Sequence, residues 1–218
     1  MQKLEERRRP IRARQTRWAA GIANFLARAG LKPNAISLLS IVFALGSAYC
    51  FLESTHHPGG GQVFLLILGA AFIQMRLLCN LFDGMVAVEE GLQSKSGEIY
   101  NELPDRISDA AILVAAGYST FWIQWEPELG WTCALLSVLT AYVRTLGALA
   151  GAGQQFCGPM AKQQRMFIIT AAALFTASEV AMHQPNRAMA IALSIVACGC
   201  IVTIARRTLR VLRALETT

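Results

Sequence analysis

Apolar residues in this chain gather into blocks that are long for a soluble core. Ala35–Leu52, Pro58–Met75 and Ala188–Ala205 each run 18 residues without a charge. A helix needs about that length to cross roughly 30 Å of hydrocarbon. Ala110–Gln124, Leu129–Val143 and Met166–Ser178 reach it once flanking charged residues are included. The pattern predicts an all-α integral membrane protein with six transmembrane helices, over about 35–52, 62–88, 98–121, 129–150, 163–181 and 188–210. Before them, Trp18, Ile22, Phe25, Leu26 and Ala29 recur at helical spacing. This predicts an N-terminal amphipathic helix lying in the interface, with Arg14, Arg17 and Arg28 turned toward phosphates. Gly30 and Pro33 end that helix, and Asn34 reads as the N-cap of the first span. The organisation expected is a basic arm with an interfacial helix over 1–33, then a six-helix membrane domain over 34–218.

Composition agrees. Hydrophobic residues make up 54% of the 218 and charged residues 16%, against about 25% charged in soluble domains. The net charge of +6 is unevenly placed. Nine of the Lys and Arg residues lie between Lys3 and Lys32. Lys95, Lys162 and Arg165 lie in or beside the second and fourth loops, and Arg206, Arg207, Arg210 and Arg213 in the tail. The loops 53–61 and 122–128 hold none, and 182–187 only Arg187. This asymmetry puts both termini in the cytoplasm, most simply at a bacterial inner membrane. It is a topology and headgroup signal, and no basic soluble domain is present to bind nucleic acid. No cleavable signal peptide is visible. The six cysteines form no CxxC pair and read as small reduced core residues. His56 and His57 lack a nearby ligand cluster and read as loop residues.

Polar residues interrupt the second and third spans. Arg76, Asn80 and Asp83 share a face of the second, and Gly84 and Ala87 add small residues that allow close approach. On the third, Asn101, Asp105 and Asp109 form a stripe drifting about 40° and climbing about 6 Å per step. Gly97 marks the turn before it. The short 89–97 loop predicts that these spans are antiparallel neighbours whose polar faces meet near the cytoplasmic surface. Ionisable groups at such depth face a cavity, a partner or an ion. Two readings are open. The aspartates pair with Arg76, Arg106 and Arg144 and lock the bundle, or the oxygen-only donors hold a hard cation such as magnesium.

The spacing N-x2-D-G-x2-A-V-x8-G-x3-N-x3-D over residues 80–105 resembles the signature of the CDP-alcohol phosphotransferase (phosphatidyltransferase) family, D-x2-D-G-x2-A-R-x8-G-x3-D-x3-D. "LKPNAIS" at 31–37 is similar to the family's entry to its first helix. The resemblance covers essentially the whole chain and implies a reaction. A CDP-alcohol, often CDP-diacylglycerol, is attacked by an acceptor hydroxyl, CMP leaves, and a phospholipid is made. It also implies Mg2+ or Mn2+ held by the motif carboxylates, a lipid substrate and a homodimer. Carried onto this chain, Asn80, Asp83, Asn101 and Asp105 would be metal ligands, with Asp109 as a further donor. Asp105 would be the base, and Gly84, Ala87 and Gly97 would make room for the CDP moiety.

Two of the four motif carboxylates are amides here, and the family Arg is Val88. An amide oxygen still ligates magnesium, but without the charge. Three accounts are open: Asp109 or Glu102 completes the site, the site holds one metal, or the chain is an inactive relative; the remaining polar stripe favours an active variant subgroup. In "GPMAKQQRM", 158–166, Lys162 and Arg165 follow a Gly-Pro turn at a helix start, which suits a phosphate group. Arg144, inside an apolar helix, needs a buried anion. These three are read as binding a phosphorylated acceptor, with Asp109 as the other partner open to Arg144. Two rival classes are a catalytically silent lipid- or nucleotide-binding relative and an ion transporter. The outer halves of the helices hold almost nothing polar beyond Glu179, which argues against transport.

Overall fold

The computed structural model describes residues 16–89 and 97–216, apart from the side chains of Arg17, Val88, Glu89, Gly97, Glu98, Tyr100 and Asn101. The expectations for the basic arm before residue 16, for Lys95 and for the side chain of Asn101 fall outside these described residues. The described residues form seven helices and no strand: α1 Arg17–Arg28, α2 Pro33–Ser54, α3 Gly60–Glu89, α4 Gly97–Gly117, α5 Glu126–Leu149, α6 Lys162–Ala181 and α7 Ala188–Glu216. Four of them are long and apolar enough to cross a membrane: α2, α3 over Gly60–Ala87, α5 and α7. The other two long helices, α4 and α6, have 21 and 20 residues. They carry the charged groups of the polar cluster, so their apolar content is lower.

The bundle is inside-out by the standard of a soluble protein. On α2 the buried face is Ser37, Ser40, Ala44, Ser47, Ala48, Phe51 and Ser54. Leu38, Val42, Leu45, Tyr49 and Leu52 stand exposed on the other face. Hydrocarbon gives no drive to bury large apolar groups, so helices associate through small residues and hydrogen bonds instead. Ser54 accordingly donates to the Ser119 carbonyl at 3.2 Å, joining α2 to the segment that follows α4.

Pro33 occupies the first turn of α2, and the N-cap position falls on Lys32, not Asn34. Proline lacks the N–H that a first-turn residue leaves unpaired, and its φ suits a helix start. Gly30 takes φ 74°, ending α1 as its position suggested. The sequence reading assigned α1 no packed face. Ala19 and Ala23 are fully buried against the bundle, while Trp18, Ile22 and Phe25 are exposed. Small residues again make the close contact, and Trp18 meets Phe82 of α3 edge-on at 6.3 Å.

Helix α4 is central, packing on α2, α5, α6 and α7. The polar faces of α3 and α4 meet as expected, through Arg76 and Asn80 on one side and Asp105 and Asp109 on the other. Their backbones stay apart, and α2 and α6 each pack on both helices. The polar stripes of α3 and α4 need room for long side chains, so those side chains span a gap that small residues would have closed.

At the opposite end, α4 stops at Gly117, four residues earlier than the apolar run suggests. Buried Glu126 accepts hydrogen bonds from the Thr120 hydroxyl and, at 3.1 Å, from the Trp122 N–H, which fixes a turn there. Glu126 is thus a polar group of the outer half that the sequence reading passed over. Phe121, Trp122, Trp125 and Trp131 are exposed around this turn, as aromatic residues are at a membrane interface. The Arg187 guanidinium lies 5.7 Å from the Trp122 ring centroid. All six cysteines are free, and Cys198 alone among them is exposed.

Helices α4 and α5 cross at glycines. A Cβ on Gly130 would lie 2.9 Å from the Leu113 carbonyl oxygen, and one on Gly117 2.7 Å from that of Glu126. Gly130→Ala is therefore expected to lower stability in thermal unfolding in micelles by about 1–3 kcal/mol, the range for overpacking. Gly21→Ala, on open surface of α1, should leave it unchanged or raised by up to ~1 kcal/mol.

Candidate active site

Four helices bring charged groups into the gap between α3 and α4. Asp83, on α3, is buried and accepts a hydrogen bond from Ser37 of α2 at 2.7 Å. Asp105, on α4, is held from two helices. Arg76 and Asn80 of α3 donate to its Oδ1 at 3.2 and 2.6 Å, and Lys162 of α6 reaches its Oδ2 at 2.5 Å. Arg76 also donates to the Asp105 carbonyl at 3.3 Å. The charges of Asp83 and Asp105 are close enough to repel, and that of Lys162 bears on both.

Asp109, one turn deeper, is a clamp. Arg76 meets its Oδ1 at 2.7 Å and Arg165 its Oδ2 at 2.6 Å. Both oxygens are taken by guanidinium groups, so the expected role of Asp109 as an additional metal donor is replaced by a structural one. Arg165 is 1% exposed, and its other contacts are Thr140 and the Met160 carbonyl at 3.3 and 3.2 Å. It therefore belongs to the interior of the bundle and does not present an open phosphate site.

The expected partners of Arg106 and Arg144 also change. Both meet on Glu102, with Arg144 at 2.6 Å, and not on an aspartate. Arg144 lies over the Phe156 ring, 5.5 Å from its centroid. The Glu102 side chain is 37% exposed, so this triad forms the rim of the site. The structural reading of the sequence is thus right in kind for Asp105 and Asp109, which pair with Arg76, and wrong in its other two arginines.

Helix α7 sets the start of α6. Met160 N–H donates to Thr203 Oγ1 at 2.9 Å, and Arg207 donates to the Cys157 carbonyl at 3.0 Å. Gly158 has φ 108°, and a Cβ there would lie 2.6 Å from Thr203. The Gly-Pro turn is thereby pinned, and Lys162 emerges toward Asp105. Gly84 and Ala87 follow Asp83 on α3, both half-buried. Pro104 sits inside α4 immediately before Asp105. Ser37 and Thr140 are the site contacts that sequence reasoning missed. Ser37 closes the "LKPNAIS" segment, and that was its only signal.

An apolar groove of about 240 Å³ runs beside Asp83 between α1, α2 and α3. Leu26, Ile36, Phe43, Met75, Cys79 and Phe82 are among the residues that line it. Ile36 and Phe82 of this lining precede Ser37 and Asp83 in the chain.

The family model for CDP-alcohol phosphatidyltransferases matches residues 31–205. The chain belongs to that family. Its relatives include the archaetidylinositol phosphate synthase of Pyrococcus horikoshii, 27% identical over 74% of this chain and 79% of that protein. The phosphatidylinositol phosphate synthase of Streptomyces avermitilis is 26% identical over 93% of this chain and 81% of that protein. The fold matches the Mycobacterium tuberculosis phosphatidylinositol phosphate synthase PgsA1. With CDP-DAG bound, that structure gives a TM-score of 0.74 at 21% identity, over 90% of this chain and 94% of PgsA1. A second PgsA1 structure, with manganese and citrate, gives 0.72 at 21% identity, over 89% and 88% of the two chains. This CDP-alcohol phosphatidyltransferase is an integral membrane transferase of phospholipid synthesis.

Among the described residues no group of three His, Cys, Asp or Glu converges as a metal cage. Asp83, Asp105 and Asn80 do offer oxygens only, the donor type that magnesium and manganese take. Asn80 spends its amide nitrogen on Asp105, which leaves its carbonyl oxygen as the donor. In kind, these residues fit a hard divalent cation.

Asp109→Ala would leave two buried guanidinium groups short of a counter-ion. Thermal unfolding in micelles should show a loss of about 3–5 kcal/mol, the cost of breaking a buried ion pair. Asp83→Asn keeps an acceptor for Ser37 and should cost no more than ~1 kcal/mol.

Proposed function

We propose that this chain transfers a phosphatidyl group from CDP-diacylglycerol to a hydroxyl of a small phosphorylated acceptor, releasing CMP. The observation that carries this reading is the convergence of Asp83 and Asp105 in the α3–α4 gap, beside an apolar groove that suits an acyl chain. The chemistry needs both features, a place for a diphosphate and a place for lipid tails.

Asn80, Asp83, Asn101 and Asp105 would hold the divalent cation. When bound, it would neutralise charge on the donor diphosphate. Asp105 takes the proton of the acceptor hydroxyl as that oxygen attacks the phosphorus carrying the diacylglycerol. The phosphorus–oxygen bond to CMP breaks, and CMP departs with the electron pair. Phosphoryl transfer depends on alignment and charge stabilisation more than on covalent help. The carboxylate of Asp105 is fixed from α3 and α6, so it is preorganised for proton transfer. Gly84, Ala87 and Gly97 leave room for the cytidine.

A phosphorylated acceptor is supported by the two relatives described above, an archaetidylinositol phosphate synthase and a phosphatidylinositol phosphate synthase. It is also supported by the half-exposed rim, where Arg106 and Arg144 meet on Glu102. An incoming phosphate competes with the Glu102 carboxylate for those guanidinium groups. The same reading gives six spans, with α4 and α6 crossing among the apolar four and α1 in the headgroup layer. The site end, which carries most of the Lys and Arg, faces the cytoplasm of a bacterial inner membrane, as do both ends of this chain. The family resemblance implies a dimer of identical chains, with residues 1–33 as arm and interfacial helix and 34–218 as the membrane domain.

The test is CMP release by the purified chain in nanodiscs containing CDP-diacylglycerol, with inositol phosphate, glycerol phosphate or free inositol as acceptor. Release should require Mg2+ or Mn2+ and a phosphorylated acceptor. Asp83→Asn and Asp105→Asn should each lose about 100-fold or more in kcat, the scale of a lost base or charge-stabilising group. Wild-type release no higher than that of Asp105→Asn would favour a silent lipid-binding relative. Arg144→Gln should raise the KM of the phosphorylated acceptor about tenfold with little change in kcat, as loss of one charge-assisted contact does.

A further inference from the structure

The cations in this site outnumber its anions before any metal is added. Asp83, Asp105, Asp109 and Glu102 supply the negative charge. Arg76, Arg106, Arg144, Lys162 and Arg165 supply the positive. Asp109 is consumed by its two guanidinium groups and Glu102 by its own two. That leaves Asp83 and Asp105 for a metal, and Asp105 already has Lys162 on one oxygen and Arg76 on the other. Arg76 shares a single nitrogen, Nη2, between two aspartates, and its buried Nε and Nη1 have no hydrogen-bond partner among the described residues. Its charge is therefore incompletely spent.

The inference rests on the metal site of the proposed function. We propose that the site binds one divalent cation, and that the Lys162 ammonium occupies the second cationic position, at Asp105 Oδ2. A diphosphate diester carries one negative charge on each phosphate. One divalent ion balances that pair of charges in a pocket where Asp83 and Asp105 are already matched by Lys162 and Arg76. A second ion would leave an uncompensated double positive charge in a low-dielectric gap. The amides at positions 80 and 101 fit this accounting, because each keeps an oxygen while adding no charge. Lys162 suits the task physically, as a compact charge on a flexible stem. It holds Asp105 while the site is empty and can turn to the donor diphosphate when that arrives, freeing Oδ2 to accept the hydroxyl proton. This role replaces the direct acceptor contact that its place after the Gly-Pro turn first suggested.

The experiment is Mn2+ titration of the purified full chain in nanodiscs containing CDP-diacylglycerol and no acceptor, followed by calorimetry and electron paramagnetic resonance. Wild type should bind one Mn2+ per chain with the spectrum of an isolated ion. Lys162→Gln should bind Mn2+ at least about tenfold more tightly, since one neighbouring positive charge at contact distance is worth that much. Lys162→Arg, which keeps the charge, should stay near wild type. Asn80→Asp combined with Asn101→Asp should admit a second, spin-coupled Mn2+. A merely structural role for Lys162 would weaken binding in the Gln variant. Two Mn2+ per wild-type chain, or unchanged or weaker binding in Lys162→Gln, would overturn the inference and leave the proposed reaction standing. No Mn2+ bound at all would overturn the metal site itself, and the reaction reading with it.

Discussion

A carboxylate with a guanidinium on each oxygen ties the working end of this bundle together. Asp109 of α4 meets Arg76 of α3 and Arg165 of α6, and all three groups are almost wholly excluded from solvent. In a membrane such charges exist only as a set, because an unpaired one costs several kcal/mol. The set fixes the separation of three helices. It also explains why α3 and α4 stand apart: a guanidinium bridging two aspartates needs more width than a seam of alanine and glycine. Asp83 and Asp105 lie on the two helices that border the space opened this way. Two carboxylates are stacked along one helix, the clamp Asp109 one turn deeper and Asp105, the proposed base, one turn closer to the rim.

The surrounding frame follows from the solvent. Small residues and serine hydroxyls fill the helix contacts of α2, while leucines, valines and tyrosines face outward. Gly117 and Gly130 let α4 and α5 cross within backbone contact distance. These close contacts leave little freedom in the positions of α4 and α6, and those two helices deliver Asp105, Asp109, Lys162 and Arg165. Helix α7 contributes no charge to the gap, yet Thr203 and Arg207 hold the turn from which Lys162 emerges.

Much of this was legible in the sequence. Uncharged runs of spanning length give the long helices, because the thickness of hydrocarbon sets a length that composition must satisfy. The motif spacing locates Asp83 and Asp105, because fixed spacing on a helix fixes a face. Which face of α1 packs was not legible, since in lipid the small residues make the contact and the aromatic stripe stays outside. Nor could ion-pair partners be read. Arg106, Arg144 and Glu102 sit at plausible spacings for several pairings, and only the tertiary arrangement selects among them. A short loop predicted that the polar faces of α3 and α4 meet, and they do, through Arg76, Asn80, Asp105 and Asp109. Loop length did not reveal how far apart the backbones stay, which the long side chains set.

The amides at 80 and 101 gain meaning only beside the cations. Read alone, Asn in place of Asp weakens a metal site. Read with Arg76 and Lys162 on Asp105, the loss of negative charge and the presence of fixed positive charge become one adjustment. A pocket that kept four carboxylates would need more metal to stay neutral. One that replaces two of them with amides and brings in an ammonium can run with less, and its oxygen donors remain where the spacing put them. On the proposed reading, the quantity preserved across such a change is the balance of charge around a diphosphate.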